Sequence, residues 1–331
     1  MEAAMARSLL IQEEGSFFMK KMMMKEERIT VAVHGGTFHA DDVLCVAMLM
    51  HFFGKDRIRV VRTRDVEKLE KCDFVLDVGK RDEISEKVVW LDHHQKDSLV
   101  RPNGIKAAAC GKLADYLFAG NEGIRNRLFR SLIYAVEALD NGQDLNDFGL
   151  GSSKMEYVDA FIPTYLETEG LSQIEQEKIF DAAFLSVVDI AFSQFERELA
   201  IAEAAEKAYQ MVNKIIFQDR SNAHLLELDR YFPWKEAVLD YNNNRGLEKK
   251  ILLVAFPSMD GDYRLQVVPK EDGRFASWIN LPVEWVGVNE KNAIEKGLPG
   301  CIFCHSARFM AVFDTKQHAL AAAEKIVVRE L

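Results

Sequence analysis

Residues 28–53, RITVAVHGGTFHADDVLCVAMLMHFF, decide the fold. The first six are a near-continuous apolar run of strand length. A polar loop follows over 34–42, and 43–53 is apolar in the helical manner. A strand with no polar face is one buried on both sides, as in a parallel sheet, and its passage through a loop into a helix opens a βα unit. Working outward, residues 58–62, 73–78 and 88–92 repeat the short apolar run. The pattern predicts an α/β domain with a parallel sheet whose polar residues collect where the strands end. In open α/β sheets that edge is where ligands bind. From 107 to about 210 the periodicity is helical, clearest over 125–139 and 174–212. Val187, Val188, Ile190, Ala191 and Phe195 are predicted to form one core stripe. Strand-like runs return at 225–228, 250–256, 263–268, 300–303 and 309–313, before a last helix over 316–328. The expected organisation is a loosely ordered Met-rich extension (1–28), a metal-binding α/β domain with a helical connecting region (29–212) and a smaller α+β domain (213–331).

A chain of 331 residues suggests two domains at roughly 150 residues each. With 48% hydrophobic and 28% charged residues it is neither a disordered chain nor a disulfide-stapled miniprotein. The formal charge is −10, so no global basic field attracts nucleic acid. A polyanionic substrate would have to be held by a local patch or by bound cations. Five scattered cysteines suggest a reducing compartment, with the cytoplasm expected and mitochondrial or nuclear placement the alternatives. Early acids (Glu2, Glu13, Glu14) count against a transit peptide. Cys301 and Cys304 form a lone C-x-x-C with no second pair for zinc, and read as core residues. No apolar run is long enough for a membrane span.

The chemistry gathers at the predicted strand ends. His34, His39, Asp41 and Asp42 crowd one loop, Asp77 ends the third strand, and Asp92-His93-His94 ends the fourth. Asp140 closes a helix before Asn141-Gly142. Singly, the aspartates read equally well as helix caps or ends. Together they do not, because four of the chain's 8 histidines fall in two of these motifs. Clustered carboxylates and imidazoles suit a divalent cation, Mn²⁺ or a similar first-row ion. The set is large enough for two ions with a bridging carboxylate.

The order H…H-x-D, D, DHH, D resembles the DHH phosphoesterase superfamily, which includes RecJ-type exonucleases and manganese pyrophosphatases. HGGTFHADD (34–42), VVRTRD (60–65), VLDVG (75–79) and LDHHQ (91–95) resemble the melanocyte-proliferating-gene family within that group. So do FPWKE (232–236), YRLQVVPKE (263–271) and PGCIFCH (299–305). The resemblance implies a metal-dependent phosphodiester hydrolase, a 3′→5′ exonuclease on RNA or short oligonucleotides, using two Mn²⁺ or Mg²⁺ ions. It implies His34, His39, Asp41, Asp77, His93 and Asp140 as metal ligands, with Asp77 bridging. His94 would face the scissile phosphate, and Asp92 would orient a histidine. Arg62 and Arg64 lie near the expected cleft, and Arg264, Lys270, His305 and Arg308 are the smaller domain's candidates for holding the substrate. Trp234 reads as a core residue or a base-stacking platform. Two rival functions are a phosphatase acting on nucleotides or pyrophosphate, which the acidic net charge favours, and a metal-binding regulatory protein without turnover.

Overall fold

Strand β1 (Ile29–Val33) lies between β2 (Ile58–Arg62) and β3 (Phe74–Leu76), parallel to both. β5 (Val89–Leu91) continues the parallel sheet beside β3, and β4 (Asp82–Ile84) pairs antiparallel at the edge, giving the order β2-β1-β3-β5-β4. The computed structural model describes residues 17–218, 224–243, 245–271, 276–289 and 291–330. The chain divides into two compact units, Met1–Glu203 and Ala204–Leu331. The fold class is the mixed α/β architecture expected from the strand pattern.

The first unit is built on α2 (Ala40–Phe53). Every residue from Asp41 to Phe53 is buried. A helix with no solvent face belongs at the centre of a core, and α2 packs with β1, β3, α3 (Ala109–Leu117) and α5 (Tyr134–Asp140) in one cluster. Residues 1–28 read as a loose extension, yet α1 (Phe17–Met24) is a helix that buries Phe18, Met19 and Met22 in that core. Phe18 meets Phe74 edge-on at 5.3 Å. Residues 1–16 lie outside the described residues. β4 escaped the apolar pattern because all three of its residues are exposed. Its charges suit an edge strand, which must discourage further pairing.

Residues 125–139, expected as one helix, are interrupted. A π turn at Phe129–Ile133 separates α4 (Glu122–Leu128) from α5. Such turns are rare and often accompany functional sites. The longest helix, α6 (Gln173–Gln218), packs Phe184, Val187, Val188, Ala191 and Phe195 into the first unit's core. Ile190, expected in that stripe, is 44% exposed.

In the second unit the sheet order is β6-β7-β8-β10-β9. Its strands are Leu225–Glu227, Leu253–Pro257, Tyr263–Val267, Cys301–Cys304 and Met310–Phe313, with β9 and β10 the last two. β6 is parallel to β7 and the other pairs are antiparallel. Helix α8 (Lys316–Glu330) covers one face through Ala319, Ala322, Ala323 and Ile326. Helix α7 (Lys235–Asn242), with Trp234 at its cap, packs against Val254, Phe256 and Val268. Trp234 is a core residue, 2% exposed. Cys301 and Cys304 are buried free thiols, as are the other three cysteines. Among the described residues no helix is long and apolar enough to cross a membrane.

Candidate metal centre

From β1 the chain goes to β2 on one side and then to β3 on the other, so the sheet reverses direction at β1. The crevice beyond the carboxyl ends of the two strands that flank such a reversal is the usual binding position. His34 directly follows β1, Asp77 directly follows β3, and Asp92-His93-His94 directly follows β5. Asp41 and Asp42 stand in the first turn of α2, and Asp140 is the last residue of α5. Topology thus brings five stretches of chain to one place.

Asp77 is the hub. It is a non-glycine residue at φ 54°, a conformation that aspartate and asparagine tolerate better than other side chains. The turn aims its carboxylate across the crevice. Asp77 Oδ2 lies 3.4 Å from His34 Nε2, and Oδ1 lies 3.4 Å from His93 Nδ1 and 3.6 Å from His94 Nδ1. His34 Nε2 is also 3.2 Å from Asp42 Oδ2, and His93 Nε2 is 3.0 Å from Asp140 Oδ2. Three groups of donor atoms come within 4.8 Å of one another: His34, His39 and Asp77; Asp41, Asp77, His93 and Asp140; Asp77, Asp92, His93 and His94. Asp77 belongs to all three.

The electrostatics are those of crowded, buried carboxylates. Asp41 and Asp42 are fully buried, and Asp77 is nearly so. Burial, followed by the charges of Asp140 and Asp77, pushes Asp41 well above the ordinary carboxylate range. Burial pushes Asp42 up to about 8. Burial and then Asp140 raise Asp77 as well. Burial pulls His93 down, but contact with Asp140 and the charge of Asp41 outweigh it, and the imidazole is raised. Burial lowers His39. Buried Asp42 Oδ2, Asp77 Oδ1 and His93 Nδ1 have no hydrogen-bond partner. Such orphans are rare in native interiors. Three converging on one crevice, among carboxylates and imidazoles, fit a divalent cation by charge and by donor type.

The surroundings hold these groups in place. Asp41 accepts the backbone N–H groups of Ala109 (3.1 Å) and Cys110 (2.7 Å), the start of α3. Asp42 accepts the His39 N–H at 3.0 Å, fixing the loop to the helix it opens. Asp92 is different from the other acids. Its Oδ1 accepts from His93 N, His94 N and His94 Nδ1 (2.7, 3.1 and 2.7 Å), and its Oδ2 accepts from Lys80 N at 2.6 Å. Burial alone would raise it, but these bonds hold it below the usual carboxylate range. With both oxygens engaged, Asp92 orients the loop and the His94 ring. His94 stacks on His93 at 4.2 Å, with half its side chain exposed. Lys112, buried on α3, donates to the Asp92 carbonyl (2.6 Å) and to Asp82 of β4 (2.7 Å), so the unforeseen edge strand helps pin this loop.

The MYG1_exonuc family model, described as an uncharacterised protein family (UPF0160), matches residues 30–113 and 114–327. The chain belongs to the MYG1 family. Within that family it is 25% identical over 325 residues to a MYG1 protein of Schizosaccharomyces pombe, covering 90% of this chain and 97% of the relative. The Mus musculus protein named MYG1 exonuclease is 28% identical over 327 residues, covering 88% and 83%. The MYG1 protein of Chlamydia trachomatis is 28% identical over 306 residues, covering 91% and 97%. No solved structure matches the chain.

In this MYG1 family member, all eight residues expected as ligands or catalytic groups converge on one crevice. Asp42 joins them as an unassigned ninth; the doubled acid of HADD was the available signal. Arg64 is exposed and lines the crevice with His34, His39 and Asp77, as does the overlooked Lys80. Arg62 stands differently from the expected anion contact. Its side chain is 2% exposed, it donates to Gly36 O and pairs with Asp181 at 3.0 Å, and its guanidinium lies over Phe38 and Phe184. Arg62 therefore braces the 34–39 loop rather than presenting a free charge. In the second unit, Arg264 on β8 lines a separate cleft. Lys270 lies 5.1 Å over the Trp278 ring. His305 and Arg308 occupy the β9–β10 turn, where the Arg308 N–H bonds to His305 O and His305 Nδ1 takes the Ala307 N–H. The β8–β10 register pairs Gln266 with Met310, so Lys270 extends past the end of β8 that faces this turn, and Arg264 lies toward the opposite end.

Proposed function

We propose that this protein is a metal-dependent phosphodiester hydrolase, a 3′→5′ exonuclease on RNA or short oligonucleotides, that holds two divalent cations, Mn²⁺ or Mg²⁺. The observation that carries the reading is the presence of Asp77 in every donor group of the crevice. A single carboxylate common to an imidazole pair (His34, His39) and a mixed set (Asp41, His93, Asp140) supports reading Asp77 as a ligand shared by two ions. The naming of mouse and human relatives as exonucleases supports the same class. Two bound cations would activate a water and stabilise the attacking and leaving oxygens of an in-line displacement. The chain supplies the rest. Arg64 and Lys80 offer positive charge to a phosphate entering the crevice. Asp92 fixes Nδ1 of His94, which leaves Nε2 of that exposed ring to hold or pass a proton at the departing oxygen.

The test is hydrolysis by metal-stripped protein with Mn²⁺ or Mg²⁺ restored, on labelled single-stranded RNA, a dinucleotide and pyrophosphate. Stepwise shortening of RNA from its 3′ end is expected. Turnover of pyrophosphate alone would replace this reading with the small-phosphatase one, and metal binding with no turnover on any substrate would replace it with a binding role. His94→Asn is expected to bind Mn²⁺ as the unaltered protein does while its rate falls ~10²–10⁴-fold. Loss of metal from that variant would make His94 a ligand instead.

A further inference from the structure

The crevice opens into two cavities, each lined by three carboxylates, that differ in whether positive charge stands beside them. One, of about 170 Å³, sets Arg64 and Lys80 beside His94 and the carboxylates of Asp77, Asp92 and Asp140. The side chains of Arg64 and Lys80 have no hydrogen-bond or ion-pair partner among the described residues. Both are exposed at the crevice, where an entering phosphate would meet their positive charge. The other cavity, of about 260 Å³, has an apolar wall of Val136, Leu139 and Met155 and a rim formed by Glu156 and Asp159. It contains no lysine or arginine. His39 and Asp140 line both, so the cavities meet at the centre.

We propose that the cavities divide the substrate between them, the one with Arg64 and Lys80 taking the phosphate-bearing chain and the one without cations seating a single terminal nucleoside with free hydroxyls. The inference rests on the hydrolase reading above. Ionised carboxylates accept hydrogen bonds and donate none, so they pair with sugar hydroxyls and base amino groups. A phosphate at the same place meets only like charge. The apolar wall suits the face of a sugar or base. At about 260 Å³ the cavity is of a size to seat one nucleoside against that wall. An internal phosphodiester would push the next phosphate against Glu156 and Asp159. The selection is therefore for a chain end, and for an end without phosphate.

The experiment uses the full-length protein loaded with Mn²⁺ and one RNA sequence in three forms: a 3′-hydroxyl, a 3′-phosphate and a covalently closed circle. The hydroxyl form is expected to be shortened, the phosphate form to react at least ~10-fold more slowly, and the circle to survive. Asp159 is exposed, so Asp159→Lys is expected to fold and to move the preference toward the 3′-phosphate. Asp159→Asn, of the same shape, falls between. Equal rates on the two linear forms, cleavage of the circle, or an unchanged preference in both variants overturns the division of the substrate and leaves the hydrolase standing. No hydrolysis of any form overturns the nuclease reading, and this one with it.

Discussion

Asp77→Asn is expected to lower turnover at least ~1,000-fold while making the chelator-treated protein more stable. The two effects come from one cause. Asp77 is buried against Asp140 and Asp92, with its Oδ1 unpartnered, and burial holds its pKa far above the ordinary value. Without a cation the fold holds this carboxyl protonated up to about pH 8, which costs stability once the pH rises above its unfolded value. Its amide isostere removes the charge and keeps the shape, and asparagine tolerates φ 54° as aspartate does. A gain of about 1 kcal/mol would raise the melting temperature by ~2–4 °C in a unit of this size. Saturating Mn²⁺ should reverse the order. A ligand at a hundred times its Kd stabilises the unaltered protein by about 2.7 kcal/mol, and the variant, lacking the shared ligand, gains much less. Melting curves with EDTA and with Mn²⁺ measure both. A variant that melts lower than the unaltered protein in EDTA, or that retains turnover, would exclude Asp77 as the shared ligand.

The second large effect is at Glu137, which touches none of the proposed ligands. Its carboxylate is fully buried and accepts Arg101 Nε (2.5 Å) and Nη2 (2.6 Å), and its Oε1 also accepts the Ala108 N–H at 3.1 Å. The next two N–H groups along the chain, of Ala109 and Cys110, are those that hold Asp41. Asp140 lies three residues beyond Glu137 on the same helix, just past the π turn. Glu137 thus ties the start of α3 to the end of α5, the two places from which Asp41 and Asp140 are set. Gly111 is part of the arrangement, since a methyl group there would overlap the Glu137 carboxylate. Glu137→Ala leaves the mostly buried Arg101 with Asp115 alone, and should cost about 3–5 kcal/mol, seen as a melting temperature lower by ~10 °C or more. Glu137→Gln keeps an acceptor for Ala108 and is expected to fold. Its Mn²⁺ affinity, measured by calorimetry, should fall ~10–100-fold, as for other groups that support a metal's ligands. Unchanged Mn²⁺ affinity in that variant would reduce the pair to a purely structural role.

Much of the first sheet could be read from the chain because β1, β3 and β5 are buried on both faces, which leaves an uninterrupted apolar signature. The residues of the candidate metal centre were legible as a cluster because imidazoles and carboxylates accumulate where those signatures stop. What escaped the reading depends on distance in sequence. β4 carries Asp82 and Glu83, and only pairing with β5 and the Lys112 contact make it a strand. Phe18 and Met22 gave no helical stripe long enough to recognise, and their order comes from docking beside Phe74. Arg62 showed a charge at a strand end, but Phe38 and Phe184, the rings that bury it, lie on other elements. Arg101 and Glu137 stand 36 residues apart, and nothing local to either announces the other.

The centre draws on the ends of β1, β3 and β5 and on the two helices α2 and α5, a span from His34 to Asp140. No short stretch of this chain carries a complete set of donors. During synthesis or refolding, the strands can pair and α2 can bury itself before α5 is in place. The full set of donors closes only when the π turn and α5 dock and Glu137 meets Arg101. Under the proposed metal-binding role, tight uptake of a cation would come last in the assembly of the first unit and mark its completion.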